Sequence, residues 1–182
     1  MNSLKNHFLI SVPHLKDLFF EKSVVYLCEH DEKGAMGLII NKTIKKDNIT
    51  LKNSSSDIEL NKYLEENYLY IGGPVLTDKA LFLHTNNEIS KSVPVSDQVS
   101  ISGNIELLSS IQKSKDVKSK LFLGHAGWDS GQIEREIENG DWLIQKSSTN
   151  LIFEQEIDNI WITATNSLGI EIGDISNTSG YS

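Results

Sequence analysis

Short apolar runs separated by turn residues constrain the fold of this chain more than any other feature of its sequence. The runs Phe8–Val12, Ser23–Glu29 and Met36–Asn41 are rich in aliphatic, aromatic and β-branched residues, which favours β-strands. The second and third runs flank the polar segment His30–Gly34, so together they predict an antiparallel hairpin. Further strands are predicted at Tyr68–Ile71, Ala80–His84, Leu121–Gly124 and Asp141–Gln145, with two short ones around the turn at Ser96 and Asp97.

Helical patterns are fewer than strand patterns. The predicted helices lie around Ile105–Ile111 behind an N-cap at Asn104, after Asp57, between Asp129 and Gly140, and over Asn159–Leu168. Asp129 and Gln132 have the spacing of a capping box, which predicts that the Asp129 carboxylate caps the helix that follows it. Strands and helices do not alternate regularly, so we expect an α+β protein with a largely antiparallel or mixed sheet.

The length of 182 residues fits a single domain spanning residues 1–182, in which the polar tail 176–182 is expected to fray. Cys28 is the only cysteine, which excludes an intramolecular disulfide and fits a reducing compartment. The N-terminal residues Met1–Ile10 lack the long apolar run that is typical of a signal peptide, and the apolar runs elsewhere are too short to span a bilayer. We therefore expect a cytoplasmic protein, monomeric or weakly oligomeric, that does not associate with membranes.

The charge balance argues against direct binding to nucleic acid. The formal net charge is −8, from 17 Lys+Arg and 25 Asp+Glu, whereas a DNA-binding domain usually carries a basic face. Arg135 is the only arginine, although arginine is the preferred side chain for contacts to phosphate and guanine. The lysines concentrate only at Lys45–Lys46 and within Lys113–Lys120, and both segments are expected to be solvated faces or loops.

Several motifs resemble those of the AlgH/YqgE family of bacterial proteins. In chain order they are His7–Pro13, Ser23–His30, Gly34–Asn41, Gly72–Pro74, Leu83–His84 and Gly124–Glu134. The resemblance extends from about His7 to Ile172, and the chain departs from it at His125, where many members have tyrosine. It implies a complex α+β fold with a branched sheet that includes a small barrel, surrounded by short helices. It implies no established activity, although the family's regulatory name suggests a transcriptional regulator.

Cys28 and His30 are the first candidates for chemistry. Residues two apart on a strand face the same side, so the imidazole could accept the thiol proton and create a nucleophile. The pair could also ligate zinc, but a zinc site needs further ligands, and only His84 and His125 are available. We therefore expect no metal and no cofactor. The structural alternative is a buried cysteine beside a histidine that hydrogen-bonds the hairpin loop.

Two glycine-containing segments are the second group of candidates. The segment Gly124–Ile133 is predicted as a strand, a glycine-rich turn and a helix, which is the outline of an anion-binding site. It lacks the Gly-Lys-Ser/Thr of a phosphate-binding loop, and the charge of Asp129 would repel an anion, so a tight turn that holds Trp128 is the alternative. The segment Gly72-Gly73-Pro74 can line a cleft, and it can also be a bend at the end of a strand.

These observations lead us to expect a non-catalytic binding or regulatory protein with an unknown protein or small-molecule partner. Its candidate binding surface comprises His30, Asn41, Gly72, Gly73, Pro74, His84, Gly127, Trp128 and Gln132, and Cys28 is a candidate reactive thiol. Two other hypotheses stay open. One is a transcriptional regulator that acts indirectly, and the other is a hydrolase or transferase that uses Cys28 and His30.

Overall fold

The computed structural model describes residues 2–45, 55–85, 89, 91–114 and 116–170. The strands in these residues are β1 (His7–Ser11), β2 (Val24–Asp31), β3 (Gly34–Ile39), β4 (Thr43–Ile44), β5 (Leu69–Ile71), β6 (Val75–His84), β7 (Val93–Pro94), β8 (Ser100–Ser102), β9 (Ser119–Asp129) and β10 (Trp142–Lys146). The helices are α1 (Ser55–Glu66), α2 (Leu108–Lys113), α3 (Gln132–Glu138), α4 (Thr149–Phe153) and α5 (Ile157–Ser167). The predicted tail 176–182 and part of the polar segment after Thr43 lie outside the described residues.

Strand β9 is the branch point of the sheet. The main path of paired strands runs β10-β1-β2-β3-β9-β6-β8-β7, and β5 also pairs with β9 and carries β4 beside it. The β5–β9 pair is parallel, whereas the other described pairs are antiparallel. The sheet curls into a half-barrel with short helices around it, which confirms the expected α+β class and the branched, mixed sheet.

The predicted end of the ninth strand at Gly124 is wrong. Gly124 has φ +68°, which bends the chain at that residue. Beyond the bend β9 continues as a strand, and Ala126–Asp129 pair with β3. The glycine-rich segment is therefore part of a strand rather than a turn. Local sequence could not show this, because the partners of these residues lie 89 to 95 positions away in the chain.

The predicted N-cap at Asp129 is also wrong. Helix α3 begins at Gln132, and its N-cap is Gly131, which has φ +70° and makes no side-chain capping bond. Half of the capping box does form, because the Asp129 N–H donates to Gln132 Oε1 at 3.0 Å. The chain needs Ser130 and Gly131 to leave the sheet, and the Ser130 hydroxyl anchors this turn by donating to the Glu32 carbonyl at 2.7 Å.

Alternate residues of β1 and β2 build two hydrophobic cores on opposite faces of the sheet. The first core contains Phe8, Ile10, Val24, Tyr26, Cys28, Leu38 and Phe122 with Ile160, Trp161 and Ala164 of α5. The second core contains Leu9, Val25, Leu27, Ile39, Ala126, Trp128 and Trp142 with Ile133 of α3. A third core packs β6 against α1 and α2. In the described part of the chain, no helix has the length and apolar character needed to cross a membrane.

Candidate functional site

The segments that carry the family resemblance adjoin in the structure. Strand β3 of the hairpin pairs with residues 126–129 of β9. The segment Gly72-Gly73-Pro74 follows β5 and lies against both strands, because the Ile39 N–H donates to the Gly72 carbonyl at 2.9 Å and the Gly72 N–H donates to the Leu123 carbonyl at 2.8 Å. Stretches that are far apart in the sequence therefore form one continuous part of the sheet.

Close backbone approach explains why glycines occupy positions 72 and 73. A Cβ atom on Gly72 would lie 2.2 Å from the Gly124 carbonyl oxygen, and one on Gly73 would lie 2.3 Å from the Ala126 nitrogen. Gly73 also has φ +155°, which residues with a side chain rarely adopt. The two glycines thus let the chain cross directly over β9, which is the role of a bend.

A β-bulge places Cys28 and His30 on opposite faces of the sheet. Leu27 pairs with Gly37 and Glu29 pairs with Met36, so Cys28 is the extra residue between two regular pairs. Cys28 belongs to the first core, whereas His30 bonds to Glu134 of α3, which covers the second core. The sequence prediction that both side chains share one face assumed regular alternation along the strand, and the bulge interrupts that alternation. The structure therefore does not bring the thiol and the imidazole together.

The environment of Cys28 favours the neutral thiol. The residue is 1% exposed, and Sγ donates to the Tyr26 carbonyl at 3.7 Å. Burial raises the pKa of the thiol, and the nearby charge of Glu29 raises it further. A thiol in these surroundings lacks the thiolate character that a nucleophile requires.

We expect Cys28 to react with a disulfide reagent on the order of 100-fold more slowly in the native protein than in urea, because the thiol is buried and protonated. The measurement is a stopped-flow titration with dithionitrobenzoate at pH 7. The matched control is Glu138→Cys in the Cys28→Ser background, which places a thiol at an exposed position of α3 and should react rapidly. A native Cys28 that reacts as fast as this control would restore the nucleophile hypothesis.

His30 joins the N-terminal segment to α3. The Leu4 N–H donates to His30 Nδ1 at 2.8 Å, and Nε2 lies 2.9 Å from Glu134 Oε1. Because Nδ1 accepts a hydrogen bond, the proton of the neutral ring is on Nε2, which donates to the carboxylate. The Ser3 hydroxyl adds a bond to the His30 carbonyl at 2.8 Å. In the described residues, no three His, Cys, Asp or Glu side chains group as metal ligands would.

Trp128 and Gln132 contribute to a network around Glu136, a residue that the sequence did not single out. The indole N–H groups of Trp128 and Trp142 donate to Glu136 Oε2 at 2.8 and 2.9 Å. The Gln132 side-chain amide donates to Glu136 Oε1 at 2.9 Å. Phe20 packs against both indoles, at ring-centroid distances of 6.2 and 5.4 Å. The four-residue spacing of Gln132 and Glu136 is a local signal, but the two tryptophans come from different strands.

Asn41 and His84 are also held within the fold. Asn41 accepts a hydrogen bond from the Val24 N–H and donates to the Lys22 carbonyl, both at 2.8 Å, so it fixes the chain at the open end of the hairpin. His84 is fully buried at the end of β6, where Nε2 lies 2.8 Å from the Ser92 hydroxyl. Neither side chain presents a group to a partner in this arrangement.

Gly127 of the predicted surface does face outward, together with neighbours that were not predicted, and we call this patch the signature surface. It consists of Glu29, Met36, Val75, His125 and Gly127. Glu29 pairs with Met36, Met36 with Gly127, and Val75 with His125, so the five residues are neighbours across four strands. Partial burial lowers the pKa of His125, and the nearby Glu29 carboxylate opposes that shift. The surface thus combines apolar side chains with an acidic group and an imidazole.

An irregular stretch of β6 borders this surface. Pairing with β9 is interrupted between Val75 and Ala80, and Pro74 is exposed at its start. Leu76 has φ +49° and is 57% exposed, which is an unfavourable backbone conformation for a branched apolar side chain. Gly124 makes room for this stretch, because a Cβ there would lie 2.9 Å from the Val75 carbonyl oxygen. The strained backbone at Leu76 makes this stretch a candidate for function.

The fold and this site define a class of small α+β proteins with a half-barrel sheet branched at one strand, in which glycines let the chain cross that strand. A family model described as AlgH-like matches residues 8–173. The chain therefore belongs to the AlgH-like family.

Relatives and solved structures agree with this assignment. The chain is 39% identical to a UPF0301 protein of Shewanella denitrificans over 185 residues, covering 100% of both chains. It is 39% identical to a UPF0301 protein of Marinomonas, covering 99% of this chain and 97% of the relative. The solution structure of AlgH from Pseudomonas aeruginosa matches with a TM-score of 0.74 and 29% identity, covering 100% of this chain and 97% of that one. Protein DIP2367 of Corynebacterium diphtheriae shows the same fold, with a TM-score of 0.72 and 19% identity. The match covers 92% of this chain and 87% of that one.

Proposed function

We propose that this is a non-catalytic, cytoplasmic binding protein that acts through the signature surface. The observation that carries the proposal is that the hairpin, the start of β6 directly after Gly72-Gly73-Pro74, and β9 all contribute residues to that one surface. Folding accounts for the glycines and for the inward-facing side chains of these segments. It does not account for exposed Val75 and Leu76 beside His125 and Gly127.

The chemistry of the surface favours a partner protein over a substrate. Its residues lie on strands that are open to solvent, and they combine apolar contacts from Met36 and Val75 with the charge of Glu29, a mixture that is usual at protein–protein interfaces. The other sequence candidates support binding rather than catalysis, because Cys28 and His30 are apart and each is engaged inside the fold.

A regulatory role would then be exerted through the partner. The net charge of −8 disfavours direct contact with DNA, because neutralised phosphates supply most of the affinity of DNA-binding proteins. Retention of the purified protein on DNA at low salt, with a steep loss as salt rises, would contradict this part of the proposal.

We expect the double variant Val75→Glu, Gly127→Glu to lose its partner, with at least about a tenfold drop in affinity, because two charges would be buried without counter-ions in the contact. Gly127 tolerates a side chain, since a Cβ there meets nothing nearer than 3.7 Å. The measurement is quantitative mass spectrometry of proteins that co-purify from cells lacking the native protein, followed by calorimetry with the purified partner.

The matched control is Ile144→Glu, Ile162→Glu, which adds the same two charges at exposed apolar positions of β10 and α5. Circular dichroism and the melting temperature establish that both double variants fold. Equal recovery of every co-purifying protein by the wild type and both variants would reject the signature surface as the binding site.

A further inference from the structure

Lys120 is a buried amine without a hydrogen-bond partner. It lies on β9, its residue surface is 7% exposed, and its Nζ makes no hydrogen bond to any described residue. Nζ lies over the face of Tyr70, 4.4 Å from the ring centroid. Buried lysines are normally paired, because desolvating an ammonium group is costly. The neighbouring Lys118, by contrast, is exposed and forms an ion pair with Glu154.

Lys120 lines a cleft of about 590 Å³ on the side of the molecule where α5 begins. Aromatic rings from Tyr68, Tyr70 and Phe153 form much of its wall. Tyr68 and Tyr70 meet edge to face, with centroids 6.4 Å apart. Thr43, Gln155, Glu156 and Asp158 add polar groups to the lining, so the cleft suits a small aromatic ligand that also carries a polar group.

The charges around the cleft disfavour an anionic ligand. Glu156 and Asp158 line the cleft at the start of α5, where their carboxylates would repel a phosphate or a carboxylate. Burial lowers the pKa of Lys120 to about 8. At pH 7 about a tenth of Lys120 is then the free amine, against less than roughly a thousandth for an exposed lysine. A neutral amine is a nucleophile toward carbonyl carbon.

We propose that Lys120 captures a small, uncharged aromatic aldehyde or ketone in this cleft as an imine. The Nζ lone pair attacks the carbonyl carbon, the carbonyl oxygen takes up the protons that nitrogen loses, and one water molecule leaves as the C=N bond forms. No oxidant or reductant is required. Nζ is covered in this conformation, and the carbonyl compound reaches it by displacing side chains at the floor of the cleft, so the amine stays desolvated as it reacts. The site is separate from the signature surface and stands whether or not that surface binds a partner.

The experiment is reductive trapping of the full chain with benzaldehyde and sodium cyanoborohydride at pH 7, followed by peptide mass spectrometry. We expect Lys120 to be modified at least about tenfold more than any exposed lysine, since its larger fraction of free amine outweighs its restricted access. The yield at Lys120 should rise with pH to a plateau above pH 8, whereas exposed lysines gain reactivity up to about pH 10. 4-Carboxybenzaldehyde should label Lys120 at least about threefold less than benzaldehyde, because of the acidic rim.

Two matched variants complete the design. Lys120→Met keeps the length of the side chain and should abolish the preferred adduct, whereas Lys118→Met should leave it unchanged. In urea the preference for Lys120 should disappear. Labelling spread over exposed lysines with Lys120 unmodified would overturn the proposal. A melting temperature raised by inorganic phosphate in the wild type but not in Lys120→Met, without an adduct at Lys120, would overturn it in favour of an anion site.

Discussion

Replacing Gly73 by alanine is expected to destabilise the protein by more than about 4 kcal/mol, which is most of the stability of a typical domain. An added Cβ would lie 2.3 Å from the Ala126 nitrogen and 2.4 Å from the His125 carbonyl oxygen. These atoms belong to the main chain of β9 and cannot move without breaking the sheet. We therefore expect the variant to accumulate poorly or to unfold at a much lower urea concentration, measured by circular dichroism.

Two alanine substitutions separate the clash from other effects of losing a glycine. Gly103→Ala meets nothing nearer than 3.7 Å and should change the free energy of unfolding by less than about 0.5 kcal/mol. Gly140 has φ +81° and open space around it, so Gly140→Ala isolates the cost of the backbone conformation, about 1 kcal/mol. A Gly73→Ala protein as stable as the Gly140→Ala protein would show that the chain crossing is not tight.

The second large effect is expected at Glu136, where Glu136→Ala should reduce the free energy of unfolding by about 3 kcal/mol. The substitution leaves the indole N–H groups of Trp128 and Trp142 without their acceptor, and both side chains are buried. Hydrogen bonds to a charged acceptor contribute about 1.5–3 kcal/mol each, and a buried donor left unpaired adds a further penalty. Urea unfolding followed by tryptophan fluorescence measures the loss directly.

Glu138→Ala is the control for this prediction, because Glu138 lies on the same helix and its side chain is exposed. It should change the stability by less than about 0.5 kcal/mol. Glu136→Gln, which keeps one acceptor oxygen, should fall between the two. If Glu136→Ala and Glu138→Ala were equally stable, the network would be a surface contact and Trp128 would again be a candidate for direct binding.

Most of the motif residues that were candidates for binding have a structural role inside the fold. His30, Trp128, Gln132, Gly72 and Gly73 are all explained by bonds or close approaches inside the fold. Three of the motifs, Ser23–His30, Gly34–Asn41 and Gly124–Glu134, also contribute residues to the signature surface. Motif residues therefore have to be sorted by the face on which they lie before a function is assigned to them.

The sequence alone was informative wherever structure depends on neighbours in the chain. The β2–β3 hairpin follows from two apolar runs on either side of a polar segment, and the structure confirms it. Asn104 was predicted as an N-cap, and its side chain accepts from the Glu106 N–H at 3.1 Å. Gly169, which has φ +77°, follows the end of α5 as the sequence indicated. Each of these features is decided by residues a few positions apart.

Only the tertiary structure decided the features that depend on distant partners. A one-residue bulge places His30 and Cys28 on opposite faces of the sheet. The segment predicted as a glycine-rich turn is the end of β9, because it pairs with β3. The role of Glu136 depends on two tryptophans from different strands. The burial of Lys120 without a hydrogen-bond partner, and its place in the lining of a cleft, also depend on how distant segments pack. The physical reason is that side-chain periodicity and turn chemistry act locally, whereas register, burial and close approach are set by what packs against a residue. Sequence therefore determined the family and the fold class of this protein, and packing determined which of its residues are available to act.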